Sequence, residues 1–165
     1  MNIRTCFGIA LVTLGLASSA NLNAQTSDPR IGHWAQHREP RSVGMHLTYQ
    51  DLGDGRFRLT LFPHYPPINQ QIVEAKCDGG TYPYLSGTGT PTGNTFSCRA
   101  TGPRSFEYLR TQADQTVWAT SAGVETVSED GNTLTWVIAH KDTSGRTVEE
   151  LSMHFSRRDD EAPRN

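Results

Sequence analysis

The sequence predicts an all-β protein, a single antiparallel up-and-down β-barrel of about eight to ten strands. Three observations carry that prediction. From residue 40 onward no segment shows a helical apolar stripe. Apolar residues alternate with polar ones in short runs, the period of a half-buried strand. Each run is followed by a hairpin turn, an even series that favours a meander over a Greek key with longer crossovers. A β-sandwich shares the local patterning, but a sheet that closes edge to edge buries one face and leaves no edge exposed.

The runs can be taken in order. Val43, Met45, Leu47 and Tyr49 alternate with Gly44, His46, Thr48 and Gln50, and Asp51-Leu52-Gly53-Asp54-Gly55 then turns the chain. Phe57, Leu59 and Leu61 form the return strand, with Arg56, Arg58 and Thr60 on its wet face. Pro63, Pro66 and Pro67 exclude an interior strand from residue 62 to 69, because proline donates nothing to a ladder. His64 and Tyr65 are therefore expected on a rim loop.

Ile72 to Cys77 resumes a strand, and Asp78-Gly79-Gly80 leads into Thr81 to Leu85, where Pro83 implies an edge or a bulge. Ser86 to Asn94, with Gly87, Gly89, Pro91 and Gly93, reads as a loop. Short strands follow at Thr95 to Arg99 and Ser105 to Thr111, and the chain returns over Thr116 to Val127. The last pair is the clearest. Leu134, Trp136 and Ile138 alternate with Thr133, Thr135 and Val137; Asp142 to Gly145 turns; Leu151, Met153 and Phe155 alternate with Ser152, His154 and Ser156.

The N-terminus has a different character. One basic residue, Arg4, precedes an apolar run from Phe7 to Ala17 that ends in Ser18-Ser19-Ala20, the composition of a cleaved signal peptide. The run is short for a membrane span, which needs roughly 20 residues. The expected organisation is a signal peptide over 1–20 (the cut falling after Ala20 or Ala24), a flexible leader over 21–33, a barrel over 34–158 and a polar tail over 159–165. The mature chain is expected in a periplasm or outside the cell, with no integral membrane domain.

Of the 165 residues, 15 are Lys or Arg and 17 are Asp or Glu, interspersed throughout the body. Without a concentrated basic surface, nucleic acid and anionic membranes are excluded as partners. Cys6 leaves with the signal, so Cys77 and Cys98 remain. In an oxidising compartment they are expected to pair, closing a loop of about 22 residues worth roughly 3 kcal/mol. Two free thiols or a metal pair are the alternatives, although the close spacing and histidine neighbours of a zinc site are absent.

Gly32-His33-Trp34, with Asp78-Gly79-Gly80-Thr81-Tyr82-Pro83 and Ser128-Glu129-Asp130-Gly131-Asn132-Thr133-Leu134-Thr135, resembles the text of small bacterial lipocalin-like (calycin-type) exported proteins. The resemblance runs from about Trp34 to Phe155. It implies an up-and-down barrel whose interior holds a small apolar molecule. Trp34 would close its bottom, with Arg157 or Arg158 packing across the indole. The chain departs from classical lipocalins in its short hairpins and in lacking a clear helix before the final strand, which points to a smaller barrel of the same superfamily.

For function, the inward stripes fit either a solid core or a cavity for one ligand. His140 continues the stripe of Leu134, Trp136 and Ile138 toward a barrel mouth. Tyr82, Tyr84 and Tyr108 are candidates for the same rim, because a phenol offers an apolar face and a polar tip. With Tyr49 and Trp136 they make up the candidate ligand-binding set. His46, His64, Glu74 and Asp78 would form an acid-base or metal constellation only if folding brought them together, and His33 and His37 lack the glutamate of His-Glu-x-x-His. No Gly-x-Ser-x-Gly elbow, phosphate loop or dinucleotide fingerprint is present, so no catalytic residue, metal or cofactor is assigned. The favoured function is binding of a small, mainly apolar molecule. A small barrel enzyme (isomerase, cyclase or hydrolase) and an interaction protein with a packed core, its partner at residues 63–68 or 86–94, are the alternatives.

Overall fold

The computed structural model describes residues 28–36, 44–62, 70–115 and 118–158. The signal peptide, the leader up to residue 27, His37, Val43, the proline-rich rim loop with His64 and Tyr65, and the polar tail lie outside the described residues. Among the described residues there are ten strands: β1 (Gly32–Gln36), β2 (His46–Gly53), β3 (Arg56–Phe62), β4 (Gln71–Lys76), β5 (Asp78–Ser86), β6 (Pro91–Gly102), β7 (Ser105–Thr111), β8 (Thr120–Val127), β9 (Thr133–Lys141) and β10 (Thr147–Arg157). Each pairs antiparallel with its chain neighbours, and β1 pairs with β10 as well as β2, which closes an up-and-down barrel.

The period-two stripes set the register. Tyr49 faces Leu59 and Leu47 faces Leu61 across β2 and β3, while Met153 faces Trp136 and Phe155 faces Leu134 across β9 and β10. A slip of one residue would turn all of these outward, so one buried face fixes the pairing. The β2–β3 turn is tight because Gly53, Asp54 and Gly55 all adopt positive φ. Aspartate tolerates that conformation better than most residues, and glycine adopts it freely. Among the described residues no helix is long and apolar enough to cross a membrane.

Two boundaries differ from the sequence reading. Ser86 to Asn94 is mostly strand: Leu85 pairs with Pro91, and the turn contracts to Gly87–Thr90, closed by Ser86 N–H donating to Thr90 O at 2.8 Å. Pro83 meets the second of its two expected settings, beside a register shift between Pro83 and Leu85 that accommodates its missing N–H. The leader ends earlier than residue 33. Gly32 and His33 pair with Tyr49 and Thr48, and Arg30 is fully buried. Carboxylates inside the barrel hold this arginine, which no apolar pattern announces.

The core fills one half of the barrel. Trp34, Leu47, Phe57, Leu59, Val73, Leu134 and Phe155 are all nearly or completely buried, and Met45 and Met153 pack against them half-buried. Arg157 lies over the Trp34 indole with its guanidinium carbon 4.3 Å from the ring centroid. It also donates to the Ile31 and Pro29 carbonyls, tying the last strand to the first described turn. Cys77 and Cys98 form the expected disulfide, which joins the β4–β5 connection to β6.

Candidate functional site

Two polar assemblies occupy the barrel interior, one at each end of the core. At the closed end, Arg30 enters from the N-terminal side and donates to Asp28 Oδ2 at 2.6 Å and Glu125 Oε2 at 2.9 Å. Tyr49 donates to the other oxygen of Glu125 at 2.8 Å. The guanidinium stacks 3.7 Å from the centroid of Phe106, and its remaining N–H groups reach the sulfurs of Cys77 and Cys98. Burial works against the charge on Arg30, but Glu125 and Asp28 outweigh it and raise its pKa. Burial raises the Glu125 pKa against the opposing pull of Arg30 and Tyr49. The assembly is internally satisfied, as buried charge must be if it is not to destabilise the fold.

Glu125 is also the floor of a cavity of about 310 Å³ that opens toward the other end. The elements that build it follow from strand alternation. On β7, Phe106, Tyr108 and Arg110 share the inward face; on β8 it is Ser121, Gly123 and Glu125; on β9 it is Trp136, Ile138 and His140. Gly123 is required for space, since a Cβ there would come within 2.8 Å of the Tyr108 hydroxyl and 2.5 Å of the Val137 carbonyl. The apolar wall comes from Leu59, Leu61, Met45, Leu151 and Met153, and Phe96 stacks on Tyr108 with centroids 6.2 Å apart.

At the upper end His140 Nδ1 lies 2.6 Å from Ser121 Oγ, its cross-strand neighbour, and its ring stacks on Trp118 at 4.6 Å. Burial, helped by Arg110 and opposed by Glu149, lowers the His140 pKa and favours the neutral imidazole. Burial also pushes Tyr84 up to about 12, against the pull of Arg110, and Tyr108 is raised by burial and by Glu125. Both phenols are therefore protonated donors near neutral pH. Arg110 packs over the rings of Tyr84 and Trp118, at 4.8 and 5.2 Å. Tyr108 Oη, Arg110 Nε and Trp136 Nε1 are buried without a hydrogen-bond partner among the described residues. Leaving such a group unmade costs about 1–3 kcal/mol, and native interiors do so rarely.

Of the residues singled out in the sequence, Tyr84, Tyr108, Trp136 and His140 line this cavity. Tyr49 belongs to the closed-end assembly instead. Tyr82 packs half-buried against the core without lining the cavity, and its hydroxyl donates to Asp78 at the surface. Glu74 pairs with Arg58 across β3 and β4, and His46 stacks on His33 at 5.3 Å, so His46, Glu74 and Asp78 do not converge. Among the described residues no group of three or more His, Cys, Asp or Glu is placed to hold a metal ion. Sequence reasoning missed Arg30, Arg110, Trp118, Ser121 and Glu125. The stripe Phe106-Tyr108-Arg110 held a signal for Arg110, an arginine in phase with two aromatics.

No family model and no curated protein sequence matches the chain. Among solved structures it is similar to the wild-type fluorescent protein UnaG, with a TM-score of 0.52 and 10% sequence identity, covering 78% of this chain and 96% of that one. At that identity the likeness is one of fold. The chain has the closed antiparallel β-barrel of the calycin and lipocalin-like proteins.

Proposed function

We propose that this protein binds one small, mainly apolar molecule inside the upper half of its barrel, as an exported protein. The observation that carries the reading is the 310 Å³ cavity, walled by aliphatic and aromatic side chains with a few polar groups among them. That size and lining are typical of small-molecule sites. Binding would draw on apolar surface removed from water, at roughly 25 cal/mol per Å². The signal-like N-terminus supports export, and the Cys77–Cys98 disulfide fits an oxidising compartment.

The test is titration with the neutral dye N-phenyl-1-naphthylamine. Saturable fluorescence enhancement at one equivalent is expected, together with quenching of Trp118 and Trp136. Ile138→Phe, which adds bulk to the cavity wall, should weaken uptake at least tenfold with an unchanged far-ultraviolet circular-dichroism spectrum. Absence of saturable uptake by the folded protein would refute the reading.

Hydrolysis of a bound ester is the second reading, favoured by the 2.6 Å contact between Ser121 Oγ and a His140 held neutral. A neutral imidazole at that distance is placed to accept the serine proton. Turnover of p-nitrophenyl butyrate that disappears in Ser121→Ala would support it, and no turnover above background would remove it.

A further inference from the structure

The interior arginines are treated differently by the fold. Arg30 meets two carboxylates and two sulfurs. Arg110, on the inward face of β7, takes part in no ion pair among the described residues and is held by the faces of Tyr84 and Trp118 alone. Ring stacking fixes the plane of a guanidinium while leaving its N–H edge free for a planar acceptor.

The unpartnered buried atoms are dominated by donors. Arg110 Nε and Trp136 Nε1 only donate, and the Tyr108 hydroxyl both donates and accepts. Trp136 is only 5% exposed, its ring centroid lies 5.9 Å from that of Tyr108, and Arg110 follows Tyr108 by two residues on the same face. All three line the same cavity, and the carboxylate on its floor, Glu125, is already engaged by Arg30 and Tyr49. Among the described residues no acceptor is placed within hydrogen-bonding reach of Arg110 Nε or Trp136 Nε1.

We propose that the molecule bound in this cavity carries a carboxylate, received by Arg110 with Tyr108 and Trp136, while its apolar body lies against Leu59, Leu61 and Ile138. The assignment rests on the cavity being a binding site and specifies which molecules it takes. A carboxylate presents two planar acceptor oxygens, which matches a stacked guanidinium flanked by neutral donors. An amine would meet Arg110 charge against charge, and an ester would keep the carbonyl acceptor but lose the ion pair.

Three matched probes separate the possibilities: 5-(2-naphthyl)pentanoic acid, its methyl ester and 5-(2-naphthyl)pentylamine, titrated by fluorescence at pH 7.5. The acid is expected to bind at least tenfold tighter than the ester, with the amine weakest, as hydrogen bonds to a charged group allow. Arg110→Met should abolish the preference for acid over ester. Tyr108→Phe and Trp136→Phe should each weaken the acid several-fold, and the ester by less, because the ester offers these donors only a neutral carbonyl. Arg110→Lys, which keeps the charge but loses the fork, should retain part of the preference and serves as the check if Arg110→Met does not fold. Equal binding of acid and ester by the wild-type protein, or a preference that survives Arg110→Met, would overturn the assignment and leave apolar binding standing. Failure of all three probes to bind would overturn the binding reading itself.

Discussion

At the scale of single residues, the Arg30–Glu125 pair is the most consequential contact. Both side chains are buried to within 1% of complete, so each depends on the other to justify its charge. Arg30→Met strands a carboxylate in the core and should cost about 3–5 kcal/mol, measured by urea unfolding. The double change Arg30→Met with Glu125→Leu removes the stranded charge and should recover part of that loss. Its recovery relative to either single variant reports the coupling between the two sites. His140 makes a smaller, pH-dependent contribution. Its folded pKa is lowered by burial and by Arg110, with Glu149 opposing, so the folded state holds fewer protons than the unfolded chain just below pH 6.5. Stability from this group is present above that pH and is lost as the pH falls through it. Between pH 7.5 and 5.5 the unfolding midpoint of the wild-type protein should therefore drop further than that of His140→Gln. Neither Arg30 nor Glu125 was legible in the sequence. Arg30 follows Asp28-Pro29 in what reads as solvated leader, and both faces of β8 mix small, polar and apolar residues, so alternation there does not say which side is inside.

Strands and turns were far more legible, for a physical reason visible in β2, β3, β9 and β10. Each carries a strict apolar stripe, and those stripes became the buried inner face. The β5–β6 hairpin was harder to read because its glycines and prolines look like loop. Gly93 keeps a positive φ within β6, and Pro83 lies beside a bulge, so both residues serve irregularities within strands. One half of the disulfide, Cys98, lies in the same hairpin. Reduction should lower stability by about 3 kcal/mol on the loop-closure account, a fall of roughly 10 °C in the thermal midpoint for a domain of this size. Thermal unfolding with and without reductant, compared with the Cys77→Ser/Cys98→Ser variant, measures it, and the two treatments should agree. The Arg30 contacts with both sulfurs place the covalent staple against the ionic one. A combined variant should therefore lose less or more than the sum of the separate losses by an amount outside experimental error.

For the molecule as a whole, periodicity predicted strands that turn one face inward, and the meander of short hairpins predicted closure. What no pattern along the chain could reveal is how the inside divides: a charge-stapled half around Trp34 and Arg30, and a half left open beneath Arg110 and His140. Filling and lining atoms come from the same residue types, so the division depends on where large side chains meet across the barrel. Nine of the ten ladders join neighbours in sequence, and one joins β1 to β10, more than a hundred residues away. A nascent chain can zip its hairpins as they emerge, but the final join waits until Arg157 has been synthesised. Until then β1 and the most recently formed strand present raw hydrogen-bonding borders to other molecules. Ending translation at residue 146 should accordingly yield insoluble material, whereas a chain carried through Arg158 should remain dispersed. Assembly of the full barrel should be paced by that one distant encounter, in milliseconds to seconds.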